Sequence, residues 1–141
     1  MQSPCFEDLQ IGDDLPEFTP DVSLARVKRF GRGTGFLSAR FTDHEGARRE
    51  GLPGAIVPGI MSQGILAGLI HRWAPGSRIL KIDTVFRAPL LVDSKPVCRS
   101  VVTDINEQER TVEVDLTILN EQGETRVIGT ATVQLQPAGD A

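Results

Sequence analysis

Tyrosine is absent from this chain of 141 residues, tryptophan occurs once and cysteine twice. With Phe as the only frequent aromatic, the sequence offers no base-stacking platform for single-stranded nucleic acid. An electrostatic footprint for nucleic acid is missing too. The formal net charge is −4, and no run of like charge exceeds a pair such as Arg48-Arg49. Cys5 and Cys98 stand alone without CxxC spacing, which argues against a disulfide framework or a cysteine metal site and predicts buried thiols in a reducing compartment. The start, MQSPCFEDLQ, lacks the basic residues and apolar run of a signal peptide. The most apolar stretch is interrupted by Pro58, Ser62 and Gln63 and falls short of the roughly 20 residues that span a bilayer. These absences predict a cytoplasmic protein with no nucleic-acid or membrane partner, no metal and no cofactor.

What is present is ordinary for a globular fold: 40% hydrophobic and 24% charged residues. The length suits a single domain, 1–141, with an ordered core over about 6–135 and a short tail past Pro137. The segment Gly51 to Arg72, GLPGAIVPGIMSQGILAGLIHR, is the most informative. A turn rich in Pro and Gly leads into a helix expected over 59–72, which holds no charge between Ala55 and Ile70. A helix apolar almost all round calls for enclosure on every side, and a curved antiparallel sheet wrapped around it supplies that. Pro58 and Gly59 open the helix, so its unpaired N–H groups and positive dipole end suit a phosphate, a carboxylate or the polarised oxygen of a thioester. Gly64 and Gly68 are expected to let strands approach closely. His71 and Arg72 complement the negative end of the helix.

Ahead of this helix, Asp21 or Ser23 caps a short helix to about Phe30, ended by Gly31, Gly33 and Gly35. Asp43-His44-Glu45 caps a second through Arg49 to Gly51. Behind it everything reads as strand: Arg78 to Ala88, Val97 to Ile105, Thr111 to Leu119 and Thr125 to Gln136. Val112, Val114, Leu116 and Ile118 alternate with polar residues and are expected on the core face, and Gly129 is expected to mark a bulge or bend. Helices first and meander strands afterwards give an α+β domain.

Three motifs carry a family resemblance. FEDLQIGDDLP is similar to an opening "FxDLxxGxxLP", VFRAPLLVDS to "xFxxPVxxGD", and ARREGLPGAIVPGI to "AxxxGFxxxIAHGM". Together they resemble the MaoC-like (R)-specific enoyl-CoA hydratases and dehydratases, a lyase group with the hot-dog fold. That resemblance implies a long central helix wrapped by a curved antiparallel sheet, an acyl-CoA or acyl-carrier thioester as ligand, and a homodimer or a heterodimer with a catalytic hydratase subunit. In the family's "GDxNPxHxD" segment the acid–base Asp and His stand five residues apart. Here those places hold Phe36 and Phe41, with Ser38 at the Asn and only Asp43 retained. Hydration needs a base to activate water and an acid to protonate the α-carbon, and a phenyl ring does neither.

The resemblance implies carbonyl binding by the Gly59 amide, with Ile60, Phe36 and Phe41 along an acyl pocket and Arg40 towards a phosphate. It leaves Asp43 and His44 as the only candidates for a relocated acid–base pair. Adjacent side chains diverge, so the two cannot copy a pair spaced five apart. The reading is an acyl-thioester-binding chain that is non-catalytic or dependent on a partner. The alternative is an active hot-dog enzyme: a hydratase using relocated residues, or a thioesterase, for which the central helix offers only Ser62 and Gln63 as polar side chains.

Overall fold

The computed structural model describes residues 3–136. After one 3-10 turn at Phe6–Asp8, the elements are α1 (Leu24–Thr34), α2 (Ala39–Thr42), α3 (His44–Arg49), α4 (Gly59–Trp73), β1 (Arg78–Phe86), β2 (Val97–Asn106), β3 (Thr111–Leu119) and β4 (Thr125–Gln134). The four strands form one antiparallel sheet in the order β1-β4-β3-β2. Val112, Val114, Leu116 and Ile118 all lie buried on its inner face, as their alternation requires. They meet Leu66, Leu69, Ile70 and Trp73 of α4 in a single core. The result is the α+β hot-dog architecture, a central helix against a curved antiparallel sheet.

The two sheet edges differ. Beside β2 the amino-terminal segment adds isolated bridges at Asp14–Val101 and Phe18–Cys98. β1 has no strand on its outer side among the described residues. Its Leu80, Val85 and Phe86 are exposed.

Three expectations need correction. α4 is not enclosed on every side: the sheet covers one face, and Ile60 on another is 56% exposed. Gly64 and Gly68 do not admit strands, because a Cβ at either position would meet nothing within 4 Å. Gly129 is not a bulge. It pairs in regular register with Thr84 and Leu116, and a Cβ there would collide with the Asp83 carbonyl of the neighbouring strand. The irregularities fall at Ile79/Lys81, Val102/Asp104 and Ile118/Leu119 instead.

α1 also runs further than its glycines suggest. Ser23 caps it, with Oγ accepting the Arg26 amide at 3.3 Å, and only Gly35, at φ +88°, takes the left-handed conformation that ends it. Gly31 stays helical on the buried face, tight against the backbone of Phe36. Asp43 caps α3 as expected, Oδ1 accepting the Glu45 amide at 3.1 Å. The expected tail past Pro137 lies outside the described residues.

Candidate functional site at the amino end of the central helix

Pro58 precedes α4 with an extended backbone and no side-chain cap. Its carbonyl accepts the amides of Met61 and Ser62, at 3.0 and 3.1 Å. Among the described residues the amides of Gly59 and Ile60 find no acceptor. They are the orphan donors at the positive end of the helix dipole.

Beside them lies a cleft of about 370 Å³. Its apolar lining comes from Ile56, Val57, Phe86, Leu90 and Val127. Ser62 and Arg87 are the only polar side chains in the lining, which contains no Asp, Glu or His. The ring of Phe86 lies so close that a Cβ on residue 59 would sit 3.0 Å from two of its carbons. Glycine at 59 therefore lets an aromatic edge approach the helix end. Phe86 was missing from the residues singled out by sequence, although it stands inside the VFRAPLLVDS motif that carried the resemblance.

The other sequence candidates gather elsewhere. Phe36 and Phe41 pack edge-on with centroids 5.9 Å apart, and Phe36 also meets Phe30 at 6.1 Å. This aromatic trio fastens α1 to the loop that follows it and to α2. Neither Phe36 nor Phe41 lines the cleft beside Gly59. The guanidinium of Arg40 is held by Glu50 at 2.7 Å in an exposed pair, while its backbone carbonyl accepts the Ile56 amide.

His44 does not pair with Asp43. Its Nε2 lies 2.8 Å from Oδ2 of Asp93, and its Nδ1 accepts the backbone N–H of Ala55 at 3.0 Å. An amide pointing at Nδ1 fixes the proton on Nε2, which donates to the carboxylate. Both ring nitrogens are thereby engaged. Asp93, at φ +66°, accepts the Leu24 amide through its other oxygen at 2.9 Å. Its own amide donates to the Val22 carbonyl. The carboxyl is held below the usual carboxylate range, first by the bond from His44 and next by the Leu24 amide. His44 and Asp93 thus tie α1, α3, the loop before α4 and the β1–β2 connection at one point. Asp93 carried no local sign of this role beyond its place in a turn.

No protein-family model matches the chain, and no curated protein matches it. Solved structures do. The (R)-hydratase from A. caviae involved in PHA biosynthesis superposes with a TM-score of 0.87 at 21% identity, over 92% of this chain and 99% of that one. Unliganded R-hydratase PhaJ1 from Pseudomonas aeruginosa gives 0.87 at 18% identity, over 94% and 86%. A chain of the ChsH1-ChsH2 complex from Mycobacterium tuberculosis gives 0.81 at 19% identity, over 90% and 98%. Likeness at this level of identity establishes that the chain shares the hot-dog fold of these proteins.

Proposed function

We propose that this chain binds an acyl thioester, on coenzyme A or a carrier protein, with the thioester oxygen at the Gly59 amide. In this reading it contributes no acid–base pair of its own and serves as a non-catalytic or partner-dependent relative of the MaoC-like hydratases. The observation that carries the reading is a pair of unpartnered amides opening onto an apolar cleft whose lining holds no carboxylate or imidazole. Such donors polarise a carbonyl, and an apolar wall accepts an acyl chain. Water would still need a base, and Asp43 and His44 are both spent on structure. Ile60 beside Gly59 extends the apolar surface outward, and Arg87 offers charge for a phosphate.

The open edge of β1 supports a dimer, since an unpaired edge with exposed Leu80 and Val85 is a liability that pairing removes. The partner is a second copy or a hydratase subunit with an intact acid–base pair. The test titrates the purified chain with acetyl-CoA and assays crotonyl-CoA hydration with the chain alone. Saturable binding without turnover is expected, whereas strong hydration by the chain alone overturns the reading. Sedimentation showing only a 15 kDa species would remove the dimer.

A further inference from the structure

A second, larger cleft of about 550 Å³ opens between α1 and α4, on the side of the helix facing away from the sheet. Its lining extends to Arg72, which at 1.5 Å per residue stands about 20 Å along the axis from Gly59. The floor is apolar and unfinished. Gly64 and Gly68 lie about one turn apart, and a Cβ on either would meet nothing. Glycine is among the poorest helix formers, so two of them facing empty space have no packing reason inside this chain. Met61, Ile65 and the ring of Phe30 continue the same surface.

The rim is cationic. Arg26 and Arg29 of α1 and Arg72 of α4 all line the cleft, and none forms an ion pair among the described residues. The Arg72 guanidinium is stacked 4.1 Å over the ring of Phe18, which pre-orders it. α1 adds Lys28 and Arg32 and carries no acid. Asp21 is the only carboxylate in the lining, and one of its oxygens accepts the Ser23 amide at 2.9 Å. Three guanidinium groups against one carboxylate leave the rim positive.

We propose that this cleft binds an amphiphilic anion: an unbranched alkyl chain lying over Gly64 and Gly68, headed by one carboxylate or phosphate among Arg26, Arg29 and Arg72. An alkyl chain fits better than a peptide strand. The floor offers no side-chain donor or acceptor, so a bound backbone would bury N–H and C=O groups without partners. A methylene chain has none to satisfy. The head group gains charge-assisted hydrogen bonds from guanidinium forks suited to planar and tetrahedral oxyanions.

The experiment is calorimetric titration of the full chain with decanoate, decyl phosphate and decyltrimethylammonium, each below its micelle concentration. Both anions should saturate a site, and the cation should not; a preference between the anions identifies the head group. The Arg26→Gln/Arg29→Gln variant should bind decanoate about tenfold or more weakly, as loss of charge-assisted bonds requires. Gly68→Leu, which fills the notch, should weaken decanoate binding to a similar extent without lowering the melting temperature. Equal binding of the cation, absence of saturable heat, or anion affinity unchanged in both variants would overturn the proposal. So would decanoate splitting a dimer in sedimentation, which would assign the cleft to a contact between copies. The Gly59 reading does not depend on any of these results.

Discussion

Replacing His44 by Ala separates a structural role from a catalytic one. The ring accepts the Ala55 amide at Nδ1 and faces Asp93 through Nε2, 2.8 Å from the carboxylate. Ala55 has no exposed surface, so its N–H would be left buried without an acceptor, at a cost of about 1–3 kcal/mol. Asp93 is half exposed and keeps the Leu24 amide, so losing its second partner adds at most about 1 kcal/mol. The sum is roughly 1–4 kcal/mol, and at about 2–4 °C per kcal/mol for a chain of this size the melting temperature should fall by roughly 2–15 °C. The assay is thermal unfolding at neutral pH, with thioester binding measured in parallel. Acid adds a second axis. Because folding lowers the Asp93 pKa, the stabilisation it brings is complete above the ordinary carboxylate range and is lost as pH falls through the folded value. The gap between parent and variant should therefore narrow below about pH 4. An unchanged melting temperature in His44→Ala, together with loss of a hydratase activity, would refute the argument, since it would leave the imidazole free to act as a base.

Four further outcomes follow from the geometry. Gly59→Ala forces a Cβ against the Phe86 ring, but that ring is 52% exposed and can swing aside; stability should stay within about 1 kcal/mol, while acetyl-CoA affinity drops about tenfold on titration. Gly129→Ala drives a Cβ into the Asp83 carbonyl, where only backbone can give way, so unfolding should show a loss of about 2–3 kcal/mol and hydrogen exchange should show β1 freed first. The buried Cys98 thiol is pushed up to about 12 by desolvation, so native alkylation at pH 8 should label exposed Cys5 and spare Cys98, as intact mass will report. Arg40→Ala breaks only an exposed pair with Glu50 and should change stability by less than about 1 kcal/mol, provided the Ile56 amide keeps the backbone carbonyl.

What the sequence disclosed and what it withheld divide along physical lines. Periodicity is a local property, so the alternation of Val112, Val114, Leu116 and Ile118 placed β3 correctly, and the uncharged run placed α4 within a residue of its ends. Capping is local too, which is why Ser23 and Asp43 were visible. Glycine is ambiguous without its surroundings. Gly31 looked like a stop but sits inside α1, and Gly64 and Gly68 looked like contact points but face open space. The contact between His44 and Asp93 joins residues 49 apart in the chain, and no composition or spacing rule marks it. Phe86 owes its position over Gly59 to the end of β1 meeting the start of α4, a tertiary fact.

The division of labour among polar groups bears most directly on function. Between α1 and α4, the polar side chains that the sequence singled out are already committed: Arg40 to Glu50, Asp43 to the Glu45 amide, His44 to Asp93 and Ala55. A catalytic group has to be within reach of its substrate and free to change partners, and these groups are neither beside the Gly59 cleft nor unoccupied. The groups that face the two clefts beside α4 include others: two unpartnered amides at its head, and the guanidinium groups of Arg26, Arg29 and Arg72 along its far side. Amides and guanidinium groups donate hydrogen bonds and do not take protons at neutral pH. Free donors of this kind suit an oxygen-rich ligand, and under the proposed function proton transfer falls to a residue of a partner chain.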